Sequence, residues 1–174
     1  MPHLNDRIYL ELFGENEAVH LISALLHEGV YEEIRECIAR PTVEAEADLN
    51  AFGQGTLAGG QLHWAIRDHI THSCLGSLQA TLTPDGAISI GYRVRSESQN
   101  TGIATEALGL LLKELSSRFP NFPIVASVHP QNIASLRVLA KLSFVEAVPL
   151  SGATSVGSNT ERAFRYVPFT NGAA

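Results

Sequence analysis

The stretch that most limits how this chain can fold runs from 87 to 129. It reads as a strand, "AISIGYRV" (87–94), a polar bend, "RSESQNTG" (95–102), a long apolar helix, "IATEALGLLLKELSSRF" (103–119), and a second strand, "FPIVASVH" (122–129). A helix of that length between two strands implies a right-handed crossover and a parallel relation in one sheet. The second strand is a continuous apolar, β-branched run, the pattern of a strand covered on both faces.

Around this unit the other elements follow from periodicity. "RIYLEL" (7–12) alternates and predicts a strand. "ENEAVHLISALLHEG" (15–29) sets Ala18, Leu21, Ile22, Leu25 and Leu26 on one helical face, and Gly29 closes it. "VYEEIRECIAR" (30–40) predicts a second helix stopped by Pro41, and 43–52 a third, before the glycine-rich loop 53–60. Strands are expected at 61–67 and 73–82. "PDG" (84–86) is a hairpin turn, with Pro84 presetting φ and Gly86 tolerating positive φ. "NIASLRVLAKLSF" (132–144) is amphipathic and helical. Late strands at 145–150 and 162–169 flank the Gly/Ser/Thr-rich loop 151–160. The expected class is α/β (α+β), a mixed sheet with helices on both faces. Its 174 residues suit one domain, 1–174, with a full core.

Composition excludes several functions. The 45% hydrophobic and 17% charged content is that of an ordinary globular chain. A formal net charge of −6 speaks against a general nucleic-acid partner. There is no apolar run long enough to span a bilayer, so no membrane role is expected. "MPHLNDRIYL" lacks the pattern of a secretory leader, which makes the cytoplasm the default compartment. Cys37 and Cys74 are too few for a disulfide framework and read as two buried thiols.

The bend 99–104 admits two readings. The first turn of a helix leaves N–H groups without partners, and the helix dipole adds positive potential there. Gly102 lacks a Cβ, Ala104 is nearly as small and Thr101 adds a hydroxyl, so a pyrophosphate can approach the backbone. A plain helix-start turn uses the same residues. Neither G-x-G-x-x-G nor G-x-x-x-x-G-K-[ST] is present.

Wider motifs separate the two. Gln99 to Ala104 spell Q-x-x-G-x-A, and the run "IGYRVRSESQNTGIATEAL" (90–108) resembles the I-G-Y…R-x-x-G-x-A-T-E-A pattern of the RimJ/RimL-like branch of the GCN5-related N-acetyltransferase (GNAT) superfamily. Gln99 stands where that branch usually has Arg. "HPQNIASLRVLAKLSF" (129–144) resembles its P-x-N-x-x-S…K-L-G-F pattern at Pro130, Asn132, Ser135, Lys141, Leu142 and Phe144, and departs at Ser143, where the family has Gly. Two motifs in the right order are far more specific than either alone.

The resemblance implies a mostly antiparallel sheet whose central parallel strands, 87–95 and 122–129, splay apart. It implies acetyl-CoA as co-substrate and no metal. Pantetheine would lie along the backbone of Arg93, Val94 and Arg95. The pyrophosphate would sit on the amides of Asn100, Thr101, Gly102, Ile103 and Ala104, beside Gln99. An amine, either a protein N-terminal α-amino group or a small amine, would attack the thioester directly, with no acyl-enzyme. An N–H near Tyr92–Arg93 would face the developing oxyanion. Ser135 would meet the sulfur; as a helix-interior serine it could instead bond back to its own carbonyls. Asn132 would cap its helix and bond pantetheine. The resemblance also allows a homodimer.

The general base is open. His129 ends the central strand and could accept a proton near neutral pH. Glu106 is a second candidate, or simply a carboxylate favouring the helix N-terminus. Tyr92 and Trp64 could line an acceptor pocket or belong to the core. Glu17, His20, His27, Glu32 and Glu33 could face an amine from the first two helices. His63, His69 and His72 lack the spacing of a metal site. Rival functions are a non-catalytic acyl-CoA-binding or regulatory domain and a nucleotide-binding module using the same bend.

Overall fold

A computed structural model describes residues 7–13, 42–147 and 161–168. The expected helices 15–29 and 30–40, and the loop 151–160, lie outside the described residues. The strands are β1 (Ile8–Phe13), β2 (Gln61–Asp68), β3 (Cys74–Leu82), β4 (Ile88–Val94), β5 (Ile124–Val128), β6 (Phe144–Ala147) and β7 (Arg162–Tyr166). The helices are α1 (Thr42–Gly53), α2 (Ile103–Arg118) and α3 (Ile133–Lys141). The strands form one sheet in the order β1-β2-β3-β4-β5-β7-β6. Every neighbouring pair is antiparallel except β4 and β5, which the α2 crossover makes parallel.

Register places Leu12, Trp64, Leu78 and Tyr92 abreast across β1 to β4. Trp64, Leu78, Ile66, Ile88 and Ile90 carry the core side of the sheet, with Ala126 and Phe164 beyond them. Against them α2 lays Leu108, Leu111, Leu112 and Leu115, all fully buried. Their 3- and 4-residue spacing makes one stripe, and burying each leucine contributes about 1.5–3 kcal/mol. α1 joins the far end of α2. The Phe52 and Phe119 rings lie 5.5 Å apart, and the Glu46 carboxylate accepts two Arg118 N–H bonds of 2.7 and 2.8 Å. α3 packs on α2 and on β6 through the buried Leu139. The three described helices are thus connected through these contacts; the expected helices 15–29 and 30–40 lie outside the described residues.

The β3–β4 turn follows its sequence signature. Gly86 has φ 79°, and its N–H bonds the Thr83 carbonyl at 2.9 Å. Two expectations need correction. β5 is not covered on both faces: Ile124, Ala126 and Val128 are buried, whereas Val125 is half-buried and Ser127 exposed. Only two residues of β5 pair with β4, so the side bearing Ser127 stays open next to the gap between the strands. The last helix also stops earlier than its periodicity suggests, at Lys141. Ser143 then turns the chain with φ 61°, and Phe144 begins β6. Serine here adopts the left-handed conformation that glycine takes without penalty, at a cost of about 1 kcal/mol.

Candidate active site

Two breaks in regular pairing lie next to each other. In the first, β4 and β5 are joined only at Ile88–Ile124 and Ser89–Val125. β4 continues to Val94 with β3 on its other side, and β5 continues to Val128 with β7 on its other side. Beyond Ser89 and Val125 the two strands no longer pair with each other, which leaves a wedge bordered by backbone groups, of which the Val94 carbonyl is taken by the Gln99 side chain. β4 is held from behind at this level by Gly76. A Cβ on Gly76 would run into the Arg93 carbonyl oxygen and sit 3.1 Å from the Val94 Cα. Glycine therefore lets β3 press close to the segment that borders the wedge.

The second break is the bend into α2. Ser96–Ser98 form one 3₁₀ turn, Asn100 has φ 60° and Gly102 has φ 89°. Side chains tie the bend from inside. The Gln99 amide donates to the Val94 carbonyl at 3.2 Å, and the Thr101 hydroxyl donates to the Ser98 carbonyl at 2.6 Å. The first helical bond is Glu106 N–H to the Gly102 carbonyl, 3.1 Å. Among the described residues nothing accepts from the N–H groups of Asn100 to Thr105. These donors belong to the turn that opens α2, at the positive end of its dipole, where Gly102 adds no side chain.

Arg7, which the sequence did not single out, belongs to this bend. It precedes β1, and α2 packs across β1. Its guanidinium donates to the Thr101 carbonyl at 3.3 Å and, through Nε and Nη2, to one Glu106 carboxylate oxygen at 3.0 and 2.6 Å. Nη2 also lies 3.5 Å from the point where a Gly102 Cβ would stand. Separations of 94 and 99 residues leave no local signal for these contacts; only the sheet order creates them. The Glu106 carboxylate is thus an ion-pair partner at the helix start.

On the far side of the wedge, α3 starts at Asn132. Its side-chain oxygen accepts the Ser135 N–H at 3.1 Å, the expected cap. Ser135 is half-buried, and among the described residues its hydroxyl does not bond back to a carbonyl of its own helix. It stands beside the Tyr92 hydroxyl of β4. Burial raises the Tyr92 phenol above its ordinary range, and the Ser135 hydroxyl partly offsets this. The Tyr92 oxygen is shut off from solvent yet completes no hydrogen bond.

The other candidates divide. Arg93 is exposed and Val94 half-buried, both along the wedge. His129 is exposed at the end of β5, with Nδ1 accepting the Gln131 N–H at 3.3 Å. Trp64 is 2% exposed and sits in the core beside its cross-strand partner Leu78. His63 is buried on β2, whereas His69 and His72 are exposed in the β2–β3 turn, with His72 bonded to Tyr9. Among the described residues no group of His, Cys, Asp and Glu could hold a metal ion. Cys74 is buried. Glu17, His20, His27, Glu32, Glu33 and Cys37 lie outside the described residues, and no described helix is long and apolar enough to cross a membrane.

Known structures share this fold. The ribosomal-protein-S5-alanine acetyltransferase of Vibrio fischeri superposes with a TM-score of 0.61 at 17% identity, over 95% of this chain and 94% of that one. An acetyltransferase from Agrobacterium tumefaciens gives 0.64 at 16% identity, over 97% and 95%. A GNAT-family acetyltransferase from Bacillus anthracis gives 0.58 at 17%, over 92% and 93%. At such identities the likeness concerns the fold. No curated protein sequence is significantly similar to the chain. The family model for the acetyltransferase (GNAT) domain, however, matches residues 7–145, from Arg7 through α3 and into β6. With the parallel pair, the glycine bend and the capped α3 all inside that match, the chain belongs to the GNAT acetyltransferase family.

Proposed function

We propose that the protein is an acetyl-CoA-dependent N-acetyltransferase of the RimJ/RimL type, moving an acetyl group to a primary amine in a ternary complex. The observation that carries this reading is the row of amides at Asn100 to Ala104 with no acceptor among the described residues, in the bend that follows β4 after its pairing with β5 has ended. A diphosphate fits the amides and an extended amide-bearing arm fits the wedge. Acetyl-CoA supplies a thioester, an acyl group already activated for attack by an amine.

Each residue then has one task. The amides of Asn100, Thr101, Gly102, Ile103 and Ala104 bind the pyrophosphate, with Gln99 fixing the bend and Arg7 adding positive charge. The backbone around Arg93, Val94 and Arg95 bonds the pantetheine arm as a further strand would, through groups other than the Arg95 N–H, which bonds the Leu75 carbonyl, and Asn132 approaches the same arm. An N–H at Tyr92–Arg93 faces the oxygen where negative charge develops. Ser135 donates to the sulfur as the C–S bond breaks. The attacking amine must be neutral, and His129, whose Nε2 is unused by the Gln131 bond, takes its proton directly or through water. A peptide with a free N-terminal alanine leads the acceptor candidates, since the V. fischeri neighbour is an alanine acetyltransferase. Small amines follow.

A domain that binds acetyl-CoA without turning it over is the rival reading. The commitment of Glu106 to Arg7 favours it, because that carboxylate is not free to act as a base. Two steps test the proposal. Acetyl-CoA at about 100 times its Kd should raise Tm by about 5–10 °C, with ATP and NAD ineffective. Thiol release should then appear with an alanyl peptide or with one of a panel of small amines. Stabilisation without release would support the rival, and no stabilisation would remove both.

Arg7 provides a narrower check. Arg7→Ala is expected to weaken acetyl-CoA binding about three- to tenfold, the scale of an exposed charge-assisted contact, with little change in Tm. Calorimetric titration reads this; unchanged affinity would make Arg7 a bystander.

A further inference from the structure

Tyr92 presents a chemical oddity. Its oxygen is buried and unbonded, although phenylalanine would fill the same space without leaving a polar atom unsatisfied. Its ring packs against the hydrophobic core, so the hydroxyl cannot swing out to water without repacking. The Ser135 hydroxyl acts on the Tyr92 phenol; its main-chain N–H is held by the Asn132 cap, and among the described residues its hydroxyl makes no bond to a carbonyl of its own helix. Tyr92 lies on β4 beyond the last β4–β5 pair, Ser89–Val125, where the wedge has opened.

We propose that Tyr92 is a positioning residue for Ser135: its phenol donates to the Ser135 Oγ once the site is filled, which turns the Ser135 O–H toward the sulfur. Ser135 by itself can point its proton in any of three staggered directions. A donor lodged behind its oxygen occupies a lone pair and leaves the proton for the wedge. No bond to Tyr92 is made or broken, and the phenol stays protonated throughout. The raised pKa agrees with that, since burial keeps the phenol neutral well past neutral pH. The inference rests on the acetyl-CoA reading above and adds a second residue to the sulfur end of it.

The test uses the intact protein and free CoA, and needs no acceptor. Thiolate absorbance of bound CoA, followed against pH, reports how strongly the site stabilises the sulfur anion, because donors to the charged form lower its pKa. Tyr92→Phe is expected to raise the pKa of the bound thiol by about one unit, a tenfold loss of thiolate stabilisation. CoA affinity at low pH should not change. Tm of the free protein should hold or rise by about 2–4 °C, since the variant sheds an unsatisfied hydroxyl. In a Ser135→Ala background the same substitution should add nothing to the thiol shift. Identical thiol titrations in wild type and Tyr92→Phe would overturn the inference alone. So would an equal effect of Tyr92→Phe in both backgrounds. Failure of the wild-type protein to bind CoA would overturn the functional reading and this inference together.

Discussion

Gly102→Glu is expected to lower the affinity for acetyl-CoA by about three orders of magnitude. Gly102 sits at φ 89°, which costs a residue with a Cβ about 1–2 kcal/mol. The new carboxylate would stand at the exit of the unpaired amides, where the pyrophosphate charge is to be held. Two like charges about 4 Å apart repel by about 4 kcal/mol at a partly solvated site, which is about a thousandfold in Kd. The first atom it meets is Arg7 Nη2, 3.5 Å from its Cβ, so the variant would also neutralise the cation that faces the bend. Gly102→Ala isolates the conformational part and should cost only about tenfold. Calorimetric titration with CoA reads both, and unchanged affinity in the glutamate variant would rule out the bend as the phosphate site.

Ser135→Ala carries the second large effect. Turnover should fall by about a hundredfold, the lower range for loss of a positioned proton donor, while KM for acetyl-CoA stays within about twofold. The split follows from distance along the ligand: the phosphates are held at the start of α2, and Ser135 faces only the sulfur at the start of α3. Alanine keeps the backbone N–H that Asn132 caps, so α3 itself should be undisturbed. Steady-state kinetics with an alanyl peptide or the best small amine reads the outcome. Wild-type turnover would take Ser135 out of the mechanism. A rise in KM with kcat intact would move it to simple binding.

The framework of this site was legible because its signals are local. Pro84 and Gly86 fixed a turn, the leucine stripe at 108, 111, 112 and 115 fixed a helix and its buried face, and Asn132 ahead of an amphipathic run announced a cap. The glycine bend was legible from Gly102 and its neighbours, and the motif resemblance pointed to the same residues. Contacts between distant elements were not. Arg7 reaches Glu106 only because α2 crosses β1, and nothing near either residue encodes that. The Tyr92–Ser135 approach depends on how α3 settles over β4, and a tyrosine in an alternating strand fits a core or a pocket equally well. Trp64 had the same ambiguity and went to the core. β5 misled because an apolar β-branched run looks alike whether its second face is covered or borders an opening. At Ser143 the sequence departs from glycine while the backbone keeps the left-handed turn, so the residue type understated how firmly the fold imposes that conformation.

The most direct measurement is a crystal structure of the protein with acetyl-CoA. The pyrophosphate oxygens should lie about 3 Å from the N–H groups of residues 100–104, with the pantetheine arm along β4 and the sulfur facing Ser135. A carrier bound elsewhere, with those amides left to solvent and the β4–β5 wedge empty, would contradict the central claim.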